Sequence, residues 1–243
     1  MISSPKVAVL LAAGRGKRLR PHTDHTPKPL LPVDGRPTLD FVLEAVVRAG
    51  IERVCLVTHH LEAQIHDYVG DGSRWGLEAA CVHQPQMDGT AGALRIALAA
   101  QPAWFDGPFL LTATDYLFSA DYLHALVVEQ QRTQAAIAVS MKRLNSAEMI
   151  GRSSVRFQET DDNMLVVEEI VEKPAPGEAP SSFGASLIYI LPATIREELP
   201  KLQKSPRGEY EVQGAINALI ASGISACGLV QIAPSEWQIP NFV

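Results

Sequence analysis

The chain has 243 residues, 47% of them apolar, and a net charge of −6. That is enough apolar material for a sizeable core, and it provides neither an overall basic footprint for nucleic acid nor an apolar run near the ~20 residues of a membrane-spanning helix. The start, Met1 to Lys6, is too short and polar for the head of a signal peptide, and Cys55, Cys81 and Cys227 are scattered with no CxxC, so reduced thiols in a cytoplasmic protein are expected.

The first element is the unbroken apolar run at residues 7–12, which suits a central parallel strand buried on both faces. A segment that cannot be regular follows: Pro21, Pro27, Pro29 and Pro32 break any helix, and Gly14 and Gly16 permit unusual backbone angles. After Pro37 the spacing of Leu39, Val42, Leu43, Val46 and Val47 is helical, with Gly50 as a stop. Strands are expected at 54–58, 77–83, 109–113 and 135–141, and helices at 61–69, 90–100 and 120–131. Such alternation predicts an α/β fold: a mostly parallel sheet with helices on both faces, right-handed crossovers, and ligands beyond the carboxyl ends of the strands. Further on, 155–157, 165–171 and 185–191 read as strands, 174–182 as a Pro/Gly/Ser loop, and 210–221 as a helix.

The most informative stretch runs from Leu11-Ala12-Ala13-Gly14-Arg15-Gly16-Lys17-Arg18-Leu19-Arg20-Pro21 to Thr26-Pro27-Lys28-Pro29-Leu30-Leu31-Pro32-Val33. Between Gly14 and Arg36 six Lys/Arg face two Asp, a local +4 in an acidic chain. Cations beside glycines, directly after a buried strand, suit a polyphosphate: the glycines let N–H groups approach phosphate oxygens, and the side chains neutralise charge. The G-x-x-x-x-G-K-[ST] loop is absent. Leu19 occupies the place of the third glycine of a dinucleotide fingerprint, and prolines follow where its helix would open.

This stretch resembles the signature of the nucleotide-sugar pyrophosphorylase (sugar-1-phosphate nucleotidyltransferase) family, L-A-A-G-x-G-x-R-L-x-P-x-T-x-x-x-P-K-P-L-x-P-V. The resemblance implies a Rossmann-like sheet with a smaller acceptor-binding β lobe. It implies that the loop at Leu11, Ala12, Ala13, Gly14 and Gly16 wraps a nucleoside triphosphate, that Arg18 holds its phosphates, and that Lys28 stabilises charge at the α-phosphate. The stretch from Gln84 to Leu94 resembles a second family motif, Q-x-x-x-x-G-T-A-x-A-L. Gln84 has a donor and an acceptor at its tip and could read a base edge. Gly89 and Thr90 would sit near the nucleoside at a helix start, or simply cap that helix.

Asp115 ends the buried run at 109–114, where a strand-end carboxylate faces the ligand crevice or caps the next helix. The family has Gly-Asp here, its aspartate binding Mg²⁺, and this chain has Thr114-Asp115. Gly151 resembles the glycine where the family backbone meets the sugar. Val171-Glu172-Lys173-Pro174 resembles V-x-E-K-P, whose glutamate binds sugar hydroxyls and whose lysine binds the sugar phosphate. Residues 208–216 resemble G-E-Y-E-L-T-D-A-I, so the resemblance spans nearly the whole chain.

Three departures concentrate in the acceptor half: Gly214 replaces the aspartate of L-T-D-A-I, 185–189 replaces N-x-G-[IL]-Y, and the W-x-D-[IV]-G-T-P ending is replaced by 237–243, without its aspartate. Glu236, Gln238 and Asn241 are the oxygen donors near that end. The expectation is a single domain over 1–243, with a nucleotide-binding half at about 1–142 and an acceptor-binding half at about 143–243. It would be a Mg²⁺-dependent transferase moving a nucleoside monophosphate from a nucleoside triphosphate to a small phosphorylated acceptor, a sugar 1-phosphate, with release of pyrophosphate. Alternatives are a cytidylyltransferase acting on a non-sugar phosphate or phosphonate, and a non-catalytic nucleotide-binding subunit. No nucleic-acid or membrane partner is expected, and a homo-oligomer is left open. His59 and His60 fit no zinc motif and stay unassigned.

Overall fold

The computed structural model describes residues 2–116 and 118–231. Strand β1 (Val7–Leu11) leads through three single 3-10 turns, Lys17–Leu19, His22–Asp24 and Lys28–Leu30, and a small hairpin of β2 (Pro32–Val33) and β3 (Arg36–Pro37), into helix α1 (Thr38–Arg48). The alternation continues with β4 (Arg53–Thr58), α2 (Glu62–Val69), β5 (Glu78–His83), α3 (Thr90–Ala100), β6 (Phe109–Ala113), α4 (Ala120–Thr133) and β7 (Ile137–Arg143). A short helix α5 (Ser146–Met149) precedes β8 (Ser154–Glu159), β9 (Leu165–Val171), β10 (Phe183–Leu191), α6 (Val212–Ala221) and β11 (Ala226–Val230).

The mostly parallel sheet is present. Nine strands lie in the order β5-β4-β1-β6-β10-β7-β11-β9-β8. β1 runs parallel to β4 and β6, β4 to β5, and β7 to β11. Only β10 and β9 run against the rest among the described residues. The later strands extend the same sheet, and β10 is inserted between β6 and β7.

Alternation along β1 explains its unbroken apolar sequence. Val7 and Val9 join one core with α3 and α6, whereas Ala8 and Leu10 join the other with α1, α2 and α4. The predicted stripe of α1 is where it should be, with Leu39, Val42, Leu43 and Val46 fully buried. Asn145 and Glu148 form a reciprocal capping box on α5. The helix expected from residue 210 begins at Val212, because the preceding residues are bonded to the β5–α3 loop: Tyr210 N–H donates to Asp88 O at 2.6 Å. Strand β11 lacked a sequence signal. It is five residues long with Gly228 at its centre, where an added Cβ would fall on the Met141 sulfur. No helix among the described residues is long and apolar enough to cross a membrane.

Candidate active site

A cleft of about 340 Å³ opens at the carboxyl ends of β1, β5 and β6. The loop after β5 leads to α3 on one face of the sheet, while the loop after β1 leads to α1 on the other. Chains diverging in this way leave a crevice. Leu11, Ala12, Ala13, Gly14, Lys28, Gln84, Gly89, Thr90 and Asp115 all line it, joined by Tyr116, Leu187 and Glu209.

Local reasons hold each wall. Nothing lies near the Cβ position of Gly14, so its main chain is open to a ligand. Gly16 lies outside the lining and has a different task. Its φ is +59°, a Cβ there would come within 2.7 Å of Thr23 Cγ2, and Thr23 Oγ1 donates to its carbonyl at 3.0 Å. Arg18 is exposed on the Lys17–Leu19 turn, outside the lining, and makes no ion pair among the described residues.

Lys28 Nζ donates to Asp115 Oδ2, and both side chains are partly buried. Asp115 is not a helix cap; Ser119 caps α4, its Oγ accepting from Tyr122 N–H at 3.1 Å. The Thr114 that replaces glycine is buried and donates to Leu11 O at 3.2 Å, clasping β6 to β1. Among the described residues no three His, Cys, Asp or Glu converge on a metal position. Mg²⁺ takes few protein carboxylates and fills its shell with phosphate oxygens and water. Asp115, one strand-end carboxylate inside the cleft, therefore suits an ion that draws its other ligands from phosphate oxygens and water. Glu236, Gln238 and Asn241, the end-of-chain candidates, lie outside the described residues.

Gln84 is 3% exposed. Its Nε2 donates to Asp88 Oδ1 at 3.1 Å and to Gly89 O at 3.4 Å, leaving Oε1 to accept. Gly89 has φ +111°, and a Cβ there would fall on the Tyr210 carbonyl. Thr90 Oγ1 does not cap α3; it accepts from Val212 N–H at 3.0 Å. Ala91 N–H donates to Tyr210 O at 2.9 Å. Tyr210 and Val212 are thus bolted to the β5–α3 loop and the start of α3.

Glu172 and Lys173 stand beside this cleft rather than in its lining. Lys173 has φ +48°, a strained backbone for a lysine. Glu172 Oε1 lies 3.6 Å from Lys173 Nζ and 3.6 Å from Arg207 Nη1. Arg207 also reaches Glu211 at 3.2 Å and Glu209 at 3.1 Å, and Glu209 returns to the cleft. Burial, helped by the Glu211 charge, pushes the Glu172 carboxyl above the ordinary glutamate value, with Lys173 and Arg207 opposing. Tyr116 joins the two regions. Burial and the Asp115 and Glu172 charges raise its phenol, and Arg152 opposes them. Gly151, next to Arg152, has φ +73° and open space around it.

Tyr116, Arg152, Leu187, Arg207, Glu209 and Glu211 gained no role from the sequence. Tyr116 adjoins Asp115, while Glu209 and Glu211 lie inside a quoted motif that Arg207 immediately precedes. Leu187 sits in the stretch of β10 where register shifts between Ala185 and Tyr189, which no periodicity reveals. Gly214 packs against Leu202 Cδ2, 3.0 Å from where its Cβ would be.

The family described as nucleotidyl transferase matches residues 7–237. A UTP–glucose-1-phosphate uridylyltransferase of Synechocystis is 31% identical over 89% of this chain and 56% of its own length. The UTP–glucose-1-phosphate uridylyltransferase AglF of Haloferax volcanii is 33% identical over 89% of the chain and 84% of its own length. The chain thus spans little more than half of the first relative and most of the second. Among solved structures, a UDP-glucose pyrophosphorylase complexed with UDP-glucose superposes with a TM-score of 0.82 at 23% identity, over 93% of this chain and 91% of that one.

Proposed function

The chain belongs to the nucleotidyl transferase family, and from that premise we propose that it transfers a nucleoside monophosphate from a nucleoside triphosphate to a sugar 1-phosphate, releasing pyrophosphate. One observation carries the reading: the open main chain after β1, the Gln84–Thr90 wall and the Lys28–Asp115 pair meet in a single cleft.

A phosphate oxygen of the acceptor attacks the α-phosphorus in line. The new P–O bond forms as the bond to the β-phosphate oxygen breaks, and that electron pair leaves with pyrophosphate. The acceptor phosphate is already a nucleophile near neutral pH, so the protein positions and neutralises rather than abstracting a proton. The main chain from Leu11 to Gly14 wraps the nucleotide, with the Ala12 N–H held back by Val57 O at 2.8 Å and Gly14 left open to the ligand, and Lys28 opposes charge at the α-phosphate. Arg18, on its exposed turn, holds the phosphates and opposes charge on the leaving group. Gln84 offers its amide oxygen to the base, beside Gly89 and Thr90. Glu172 accepts protons from acceptor hydroxyls, Lys173 holds the acceptor phosphate, and Gly151 lets main chain approach the sugar. Asp115 would hold Mg²⁺, which when bound supplies charge neutralisation between nucleotide and acceptor phosphates. Residues up to about 142 serve the nucleotide and those from 143 onward the acceptor. Both substrates are small and water-soluble, in keeping with work in the cytoplasm without nucleic acid or membrane.

The relatives' names make UTP and glucose 1-phosphate the first pair to try. Mass spectrometry of products from a matrix of triphosphates and phosphorylated acceptors tests the reading. A nucleoside diphosphate sugar plus pyrophosphate is expected. Products formed only with non-sugar phosphates, or none with any acceptor, would contradict it.

A further inference from the structure

His59 and His60 belong to no catalytic step, yet they stand where β4 ends, between β5 and β1 in the sheet. His59 Nδ1 lies 2.8 Å from the main-chain oxygen of Gln84. His60 Nε2 lies 3.0 Å from the main-chain oxygen of Thr23. A carbonyl only accepts, so each of these ring nitrogens carries the hydrogen and donates. Neither nitrogen is then available as a metal ligand.

One bond reaches a residue of the cleft lining, and the other reaches the loop after β1 just outside that lining. Gln84 is the buried amide on the base side. Thr23 is the buried residue that closes on Gly16 and so shapes the loop after β1. Both rings are themselves held or backed up. His59 stacks on His83 at 5.7 Å and 23°, and His83 Nδ1 sits 2.6 Å from Glu62 Oε2. The loop near Thr23 has a second tether, Gln64 Nε2 donating to His25 O at 2.9 Å.

We propose that His59 and His60 are positioning residues that bracket the nucleotide, His59 by fixing the base-reading Gln84 and His60 by fixing the phosphate loop through Thr23. The inference rests on the proposed reading of the cleft as a nucleotide site. Its test is therefore nucleotide affinity, measured apart from turnover.

The Asn amide nitrogen can stand in for His Nδ1, and that of Gln for Nε2. The variants are His59→Ala, His59→Asn, His60→Ala and His60→Gln. Calorimetry with UTP, CTP, GTP and ATP in Mg²⁺ gives affinities, and turnover gives the split between KM and kcat. Losing one such bond should weaken binding by up to about tenfold. His59→Ala should weaken the preferred triphosphate most and so flatten discrimination among bases. His60→Ala should weaken all four alike. His59→Asn and His60→Gln should recover wild-type affinity, and acceptor KM should stay unchanged throughout. The proposal is overturned if the alanine variants bind like wild type, if Asn and Gln rescue nothing, or if acceptor and nucleotide affinities fall together with the melting temperature. Wild-type protein that binds nucleotides but makes no product with any acceptor would sink the proposed activity and leave the bracket to the affinity data. Wild-type protein that binds none of the four overturns both.

Discussion

The two sides of the cleft are built from different materials. The side proposed for the nucleotide is largely main chain: open peptide at Gly14, a loop pinned by Thr23 on Gly16, and Gly89 pressed against Tyr210. The side proposed for the acceptor is a charged side-chain cluster on loops, where Arg207 gathers Glu172, Glu209 and Glu211. Main-chain recognition needs particular backbone angles, so few residues satisfy it. Side-chain recognition on loops tolerates exchange while the sheet stays intact. The departures from the family pattern have separate local settings: Thr114 clasps β6 to β1 with its own hydrogen bond, Gly214 packs against Leu202, and Leu187 lines the cleft from the irregular stretch of β10.

The comparison breaks first at the pair where both sides meet. Asp115→Asn and Lys28→Ala should each lower kcat by about a hundredfold or more while circular dichroism and melting stay near wild type. Near-normal pyrophosphate release would remove the pair from the chemistry. Gly89→Ala should act on both sides at once, because a Cβ there strikes Tyr210. A stability loss of roughly 1–3 kcal/mol is expected in urea titrations, with KM rising for nucleotide and acceptor alike.

Glu172→Gln should sharpen the division by raising acceptor KM roughly tenfold or more with nucleotide affinity unchanged. pH adds a sign. The Glu172 carboxyl is raised above 4.5 in the folded chain, so its contribution to stability is full below that value and is lost as pH climbs through the folded value. With the proposed role of Glu172 as acceptor of hydroxyl protons, acceptor binding should weaken on acidification through that same folded value. A KM–pH profile should show this limb above the ordinary glutamate range in wild type and lack it in Glu172→Gln. Arg18→Ala should give the smallest effect, a rise in nucleotide KM of about tenfold or less that shrinks further with salt, since the side chain is exposed.

Most of the sheet was legible in the sequence because its strands are continuous apolar runs punctuated by glycine and proline. Thr90–Ala100, Phe109–Ala113 and Leu165–Val171 fall on their expected bounds. The cleft lining at 11–14 and 84–90 was legible because each piece is a short run in the sequence. The Arg207 cluster, Tyr116 and the His59–His60 bracket were not, because what defines them is proximity between segments far apart in the chain: Glu172 with Arg207, Tyr116 with Glu172, Thr23 with His60. β11 was missed because Gly228 interrupts it for packing against Met141.

The claim on which all of this depends is that the acceptor's phosphate oxygen displaces pyrophosphate at the α-phosphorus. Glucose 1-phosphate carrying heavy oxygen in its phosphate, incubated with protein, UTP and Mg²⁺, tests it directly by mass spectrometry of both products. The account predicts the full label in the nucleotide sugar and none in pyrophosphate. Label in pyrophosphate, or pyrophosphate released at the same rate without any acceptor, would contradict it.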